Sequence, residues 1–293
     1  MNGAERVYLN GELTARGEAA ISPLDRGFLY GDGFFETTRI VTGVPLLLGR
    51  HLERLASSCS EAGISGTPSP DELSLGIGRL IEANGVAEGY LRITVSRGLH
   101  GGSLTELCTG APTVFAEARS MNLPPLDGVP PITLARSTCR RNEHSPVVGH
   151  KSLSYQSNVL ALAEGRRAGA DEVFFLNSQG RLAEGAVTNL FLVREGVVCT
   201  PDVSCGLLPG VTRGVVLELC EELHVPAETG TYTEAQLYAA DEVFCTNSLR
   251  GVIPVARILD CPEFGPASHD FTRRLQAEYA SLVRRLGGPG GGQ

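Results

Sequence analysis

A single lysine, Lys151, stands among the 25 lysine and arginine residues of this 293-residue chain. Arginine stays protonated in proteins, whereas a desolvated lysine can lose its proton and attack a carbonyl to form a Schiff base. An arginine-biased composition can also leave one stray lysine behind, so its surroundings must decide. Lys151 lies in Gly149-His150-Lys151-Ser152-Leu153-Ser154-Tyr155, at the head of a stretch over 152–169 that reads as a helix with Val159, Leu160 and Ala163 on its inner side. A lysine there meets the positive end of the helix dipole, which disfavours the ammonium form. Other residues have the types to hold an anion. Leu207-Leu208-Pro209-Gly210-Val211-Thr212-Arg213 opens a helix with Thr212 as its cap, leaving backbone N–H groups suited to a phosphate monoester. Asn247-Ser248, after a strand, offers more donors. Arg50 and Arg54 share one face of a helix over 48–62, although a solvated arginine stripe has the same spacing.

The elements that position these residues follow from periodicity and turn chemistry. Residues 5–20 read as a hairpin turning at Asn10-Gly11. Gly27, Gly31 and Gly33, interleaved with aromatics, precede a strand over 34–41 and signal close backbone approach to a ligand or a subunit, or an ordinary turn. Because a strand rather than a helix follows, this is no dinucleotide fingerprint. Helices fit 48–62, on Leu52, Leu55, Cys59 and Ala62, and about 70–84. Strands fit 90–96 and 113–118, and Tyr90, Arg92, Thr94 and Ser96 share one face of the first. An arginine in that row is either salt-bridged or aimed at a carboxylate. Four prolines within residues 120–131 mark a linker between an N-terminal domain over 1–119 and a C-terminal domain over 132–286. Beyond it, strands fit 132–137, 185–193 and 196–200, and helices fit the stretch after Thr212 and 269–286. Ala170-Asp171-Glu172-Val173-Phe174-x-x-Asn177-Ser178 recurs as Ala240-Asp241-Glu242-Val243-Phe244-x-x-Asn247-Ser248, which suggests two strands ending near a common site. The glycine-rich tail over 287–293 reads as disordered.

Composition narrows the function. Hydrophobic content of 42% and charged content of 20% describe an ordinary soluble globular protein, long enough for one large domain or two of ordinary size. A net charge of −8 with scattered arginines argues against nucleic acid or an anionic membrane surface as partner. No run approaches the roughly 18 apolar residues of a membrane span, and the first residues form no signal peptide, so a cytoplasmic location is expected. Eight cysteines without a C-x-x-C pair read as packed, reduced thiols, with no metal site. His51, His100 and His144 read as surface or loop histidines.

A Schiff-base lysine together with a phosphate cradle suggests pyridoxal phosphate, which also needs an acidic partner for its ring nitrogen. Six motifs then carry a resemblance. They are Tyr30-Gly31-Asp32-Gly33-x-Phe35-Glu36, His51-Leu52-x-Arg54-Leu55, Lys151, Ala183-Glu184-Gly185-x-x-x-Asn189-Leu190-Phe191, Leu208-Pro209-Gly210-Val211-Thr212-Arg213 and Ala240-Asp241-Glu242-Val243-Phe244. In this order they resemble the class IV aminotransferases, the fold-type IV pyridoxal-phosphate family of branched-chain and D-amino-acid aminotransferases and aminodeoxychorismate lyase. The resemblance implies a small N-terminal α/β domain and a larger barrel-like C-terminal domain enclosing the cofactor, in a homodimer. It implies that Lys151 carries the Schiff base and shuttles the proton between substrate Cα and cofactor C4′, through a quinonoid, while Glu184 keeps the pyridine nitrogen protonated. Arg54, Val211, Thr212 and Thr246 or Asn247 would bind the phosphate, and Tyr155 the phenolic oxygen. Tyr30, Thr37, Arg92 and Arg97 would face the substrate, with Arg92 the carboxylate anchor and Arg39, Arg97, Arg140 and Arg141 its rivals.

The expected reaction moves an amino group between an amino acid or amine and a 2-oxo acid. The alternative is lyase chemistry, releasing pyruvate and 4-aminobenzoate. Thr37-Thr38 after Phe35-Glu36 is similar to the lyase-like members, and the Lys151-to-Tyr155 spacing to the lyase and D-amino-acid branches. Tyr90-x-Arg92 and the stretch 208–212 are similar to the aminotransferases.

Overall fold

A computed structural model describes residues 5–99, 101–102, 104, 110–266 and 268–286, in two compact units. His100, Cys108 and the tail over 287–293 lie outside the described residues. The first unit takes in residues up to Leu123 and the separate stretch His150–Tyr155. The second takes in Pro124–Gly149 and Gln156–Arg285.

The first unit contains β1 (Arg6–Leu9), β2 (Glu12–Ala15), α1 (Arg26–Tyr30), β3 (Gly33–Val41), β4 (Val44–Pro45), α2 (Leu48–Glu61), α3 (Pro70–Asn84), β5 (Gly89–Ser96) and β6 (Thr113–Ser120). Its strands form one sheet in the order β2-β1-β6-β5-β3-β4, antiparallel throughout. Alternation decides which face is covered. Phe34 and Ile40 of β3, Leu91, Ile93 and Val95 of β5, and Val114, Ala116 and Ala118 of β6 join Leu52, Leu55, Leu73, Ile77 and Leu80 of α2 and α3 in one core. α3 begins at Pro70 because Ser69 and Glu72 form a capping box, and it ends where Gly85 turns left-handed at φ 60°. The residues between those apolar positions, including Phe35, Thr37, Tyr90, Arg92, Thr94 and Glu117, stand on the opposite face.

The glycine-rich stretch serves the chain's own backbone. A Cβ at Gly33 would lie 2.2 Å from the Val95 carbonyl oxygen, and one at Gly31, whose φ is 67°, would lie 2.7 Å from Ser154 Oγ. Close approach is real here, and within the chain it is made to β5 and the Lys151 stretch.

The second unit contains β7 (Ile132–Arg141), α4 (Gln156–Ala168), β8 (Glu172–Asn177), β9 (Leu182–Gly185), β10 (Asn189–Arg194), β11 (Val197–Pro201), α5 (Val211–Glu222), β12 (Ala227–Gly230), α6 (Glu234–Tyr238), β13 (Glu242–Asn247), β14 (Gly251–Ile258) and α7 (Asp270–Leu286). Eight strands form a mixed sheet in the order β12-β11-β10-β13-β14-β7-β8-β9, curled as a half-barrel. The expected strand over 185–193 is two strands, because Gly185 to Thr188 fold into a tight loop closed by the Gly185 N–H to Thr188 C=O bond, 2.8 Å.

Two expectations fail in this unit. α4 opens at Gln156 and not at Ser152, so Lys151 is not at a helix start. Its buried side is Asn158, Ala161 and Gly165, whereas Val159 and Leu160 are exposed. Gly165 lets the helix sit against β8, since a Cβ there would be 2.4 Å from Val173 Cγ1. The paired Ala-Asp-Glu-Val-Phe strands also do not converge. β13 is antiparallel to β14, which runs parallel to β7 and through it to β8, so β8 and β13 point in opposite directions.

What the two copies share is a local device. Asp171 takes the Thr133 N–H on its carboxylate while its own N–H bonds the Thr133 carbonyl. Asp241 receives the Glu195 N–H and donates its own to the Val193 carbonyl. Glu242 then collects the N–H groups of Phe271 and Thr272 and the Thr272 hydroxyl, and so caps α7. Glu172 collects the N–H groups of Val173, Ala186 and Val187 and the Thr188 hydroxyl.

Candidate active site

In the first unit, Lys151 sits in an extended stretch zipped to β3. The Phe35 N–H bonds the Lys151 carbonyl, the Leu153 N–H bonds the Gly33 carbonyl, both at 2.9 Å, and Phe34 and Ser152 form a bridge. This pairing fixes the backbone of the lysine, and the side chain runs along an aromatic wall. Lys151 Nζ is 4.5 Å from the Phe35 ring centroid and 5.4 Å from that of Tyr155. The two rings meet edge to face at 5.2 Å. Arg92 reaches the same Phe35 ring at 4.0 Å from its centroid. One ring therefore carries two cations, and both stand on the sheet face that the helices leave open. Burial pulls the Arg92 guanidinium below its ordinary pKa, against the opposing pull of Glu117 beside it. Glu117 also accepts from the Tyr90 hydroxyl.

Arg54 is held on the helix-covered side. Its Nε donates to Glu36 Oε1 at 2.8 Å and its Nη2 to Glu36 Oε2 at 2.7 Å, a bidentate pair. His51 Nδ1 lies 2.6 Å from the same carboxylate, and both His51 and Glu36 are at most 2% exposed. His51 is thus buried in an ionic cluster, not a surface histidine. Burial alone would raise the Glu36 carboxyl, but the hydrogen bonds from His51 and Arg54 prevail and hold it at about 2. The pattern Glu36…His51-x-x-Arg54 carried this signal, since a buried strand carboxylate needs cations from the facing helix.

The remaining first-unit candidates divide. Tyr30 is partly exposed at the end of α1, with the Arg26 guanidinium 5.2 Å from its ring centroid, and Thr37 is half-buried beside Arg92 on the cross-strand register. Arg97 instead donates to both oxygens of Asp32 and to the carbonyls of Ala62 and Gly63, which ties β5 to the end of α2.

In the second unit, Glu184 lies near the end of β9, almost fully buried. Its Oε1 faces Arg141 Nη2 at 3.0 Å, and its Oε2 accepts the Leu208 N–H at 3.1 Å. Arg141 lies 4.1 Å over the Phe175 ring centroid and donates to Asn158 Oδ1. Of the rival arginines, Arg141 is therefore committed to Glu184.

α5 begins at Val211 with Gly210 as N-cap, which places Thr212 in the first turn rather than at the cap. Asn189 explains the glycine. It donates to the Leu208 carbonyl, and its Oδ1 would lie 2.0 Å from any Cβ on residue 210. With no capping side chain, the first-turn N–H groups of α5 keep their affinity for an anion. Asn189 is the cross-strand partner of Thr246, and α5 packs on β13. Thr246 Oγ1 is buried without a hydrogen-bond partner among the described residues. Asn247 uses its side-chain oxygen on the N–H groups of Leu249 and Arg250, shaping the turn after β13.

Residues 33–258 match the amino-transferase class IV family. This chain belongs to the class IV aminotransferases. A putative branched-chain-amino-acid aminotransferase of Methanocaldococcus jannaschii is 32% identical over 96% of this chain and 98% of its own length. The aminodeoxychorismate lyase of Bacillus subtilis is 31% identical, over 96% and 95%. The crystal structure of a branched-chain aminotransferase from Thermoproteus uzoniensis, with norvaline, superposes with a TM-score of 0.88 at 28% identity, over 97% of this chain and 95% of that one. The family is one of pyridoxal-phosphate enzymes, and the second unit has the donors such a group requires. A buried hydroxyl lacking a partner and an uncapped helix start suit its phosphate, and a fixed carboxylate suits its ring nitrogen.

Proposed function

We propose that this chain transfers the amino group of an amino acid to a 2-oxo acid, with pyridoxal phosphate as resident cofactor and Lys151 as its attachment point. The observation that carries this reading is the single lysine, zipped by its backbone to β3 with Nζ against Phe35 and Tyr155. Once bound, the cofactor supplies an electron-withdrawing ring that accepts the charge left when a bond to the substrate α-carbon breaks. The chain's residues do the rest. Lys151 Nζ would take the proton from the substrate α-carbon and hand it on to the cofactor's C4′. Glu184, backed by Arg141, holds a proton at the ring nitrogen. The α5 first turn at Val211 and Thr212, the Thr246 hydroxyl and Arg54 receive the phosphate, and Asn247 shapes the turn beside them. Tyr155 donates to the phenolic oxygen. Arg92, with Tyr30 and Thr37 on its side of the sheet, receives the substrate carboxylate, while Arg97 holds the rim together.

Aminodeoxychorismate lyase chemistry is the second reading, favoured by the Bacillus subtilis relative. Mass spectrometry of products from the cofactor-loaded protein separates the two. The substrates are L-Leu, L-Glu and D-Ala with 2-oxo acids, and separately aminodeoxychorismate. Nitrogen transfer to an oxo acid supports our first reading. Pyruvate and 4-aminobenzoate without transfer elsewhere refute it. In Lys151→Ala, retention of the visible cofactor band and turnover would refute the lysine's role.

We also propose a homodimer, on the grounds that Ile21, Leu24, Phe28 and Leu29 leave apolar surface exposed in one stretch of the first unit. Light scattering after gel filtration reads the mass directly. A reducing cytoplasmic location suits the seven described cysteines, all free, and no described helix is long and apolar enough to cross a membrane.

A further inference from the structure

Asn158 is nine-tenths buried in the first turn of α4, outside every motif that marks the family in this sequence. Both ends of its amide are used. Arg141 Nη1 donates to its Oδ1 at 3.1 Å, and its Nδ2 donates to the Ala186 carbonyl at 2.6 Å. These partners matter because each leads to Glu184. Arg141 carries the charge opposite Glu184 Oε1, and Ala186 belongs to the tight loop that begins at Gly185, the residue after Glu184 and the end of β9. The contacts close a ring running from the Glu184 carboxylate to Arg141, to the Asn158 amide, to the Ala186 backbone and back along the chain to Glu184. Glu172 secures the same loop from behind, through the Ala186 and Val187 N–H groups and the Thr188 hydroxyl. Burial pushes the Glu172 carboxyl above its ordinary range, against the pull of those donors. Every polar neighbour named there donates, so the loop it holds is set by an acceptor on one side and by the Asn158 donor on the other.

We propose that Asn158 is a positioning residue for Glu184, orienting the carboxylate toward the cofactor's ring nitrogen by holding Arg141 and the loop at Ala186 together. This inference rests on Glu184 being the partner of that nitrogen. Asparagine suits the post because it offers a donor and an acceptor at once. Alanine would free Nη1 of an arginine whose Nε already lacks a partner, and would leave the Ala186 carbonyl without its amide donor. Among the described residues, the guanidinium would then keep Phe175 and the carboxylate it is meant to orient.

The test uses the protein loaded with ring-15N pyridoxal phosphate, comparing wild type, Asn158→Ala, Asn158→Ser and Glu184→Gln. The readouts are the ring nitrogen resonance, cofactor affinity and the kcat-to-KM split. For Asn158→Ala the expected result is a resonance displaced toward the unprotonated ring, cofactor affinity lower by about tenfold, and kcat lower by about tenfold at unchanged KM. Asn158→Ser, which leaves a small polar group in place of the amide, should fall between, and it stands in should the alanine variant not fold. A Glu184→Gln that moves the resonance while both Asn158 variants leave it in place, with only thermal stability reduced, overturns the proposal alone. A wild-type protein that binds no cofactor, or a Glu184→Gln that leaves the resonance unmoved, overturns the reading of Glu184 and this proposal with it.

Discussion

Replacing Glu36 by glutamine tests the ionic cluster under the first unit's sheet, and its cost can be worked from the structure. The Glu36 carboxyl sits at about 2 in the folded chain against 4.5 as its reference value. At about 1.4 kcal/mol per unit, the depression contributes roughly 3 kcal/mol of stability at neutral pH. The group is almost fully buried, so solvent screening takes little from this figure. Because the folded pKa lies below the unfolded one, this stability is present above pH 4.5 and is lost as the pH falls toward about 2. At pH 3 the folded carboxylate is still mostly ionised while the unfolded one is mostly protonated, so roughly 1.4 kcal/mol should remain. Glutamine keeps the shape and removes the charge, so the part-buried Arg54 guanidinium loses the carboxylate charge of its bidentate pair. Urea denaturation of wild type and Glu36→Gln, at pH 7 and again at pH 3, reads the effect as a shift in midpoint at constant slope. The expected deficit of the variant is about 3 kcal/mol at pH 7, shrinking to about half or less at pH 3. A deficit equal at the two pH values, or absent at both, would refute the reasoning.

Thr246→Val removes a hydroxyl that has no partner among the described residues, so the cofactor-free protein should lose no stability while pyridoxal phosphate binds about tenfold more weakly. Calorimetry with and without cofactor checks both halves. Arg92→Gln should raise KM for the amino donor by about tenfold while the visible cofactor band stays in place, which steady-state kinetics and absorbance read together. Gly33→Ala drives a Cβ to 2.2 Å from the Val95 carbonyl oxygen and should cost more than about 3 kcal/mol. Gly78→Ala, exposed in α3 with nothing within 4 Å, should gain about 0.5–1 kcal/mol. Melting temperatures of the two glycine variants would sink the packing argument if they moved the same way.

The first unit was the more legible from sequence because its signals are local. The helix at Pro70–Asn84 is bounded by Ser69, Pro70 and Gly85, and the six-stranded sheet alternates as a half-covered sheet should. The second unit hid more, since β8 and β10 are buried on both faces and lose the alternation that marks a strand's sides. Strand direction is also invisible in a repeat. The two Ala-Asp-Glu-Val-Phe copies form like strands with like carboxylate devices, yet they run opposite ways because parallel and antiparallel neighbours intervene. α4 misled because its apolar Val159 and Leu160 face outward while its polar Asn158 faces in, the reverse of an amphipathic rule. Family motifs located Glu184, Arg54 and Lys151. Glu36 and His51 lie in those same motifs, whereas Arg141 and Asn158 depend on contacts between distant stretches of chain, and no spacing encodes those.

The order of strands in the half-barrel sets a schedule for synthesis on the ribosome. β7 is the first strand of its unit to be made, and it ends between β8, which follows soon after, and β14, which pairs Val255 with Ile132. One edge of β7 is therefore covered early, and the other stays open until almost the whole chain has emerged. Such long-range parallel pairing is slow to form, so the nascent second unit is held as an incomplete sheet through the making of β9 to β13. A chain released before residue 251 would keep that edge for good, and would meet other chains through it.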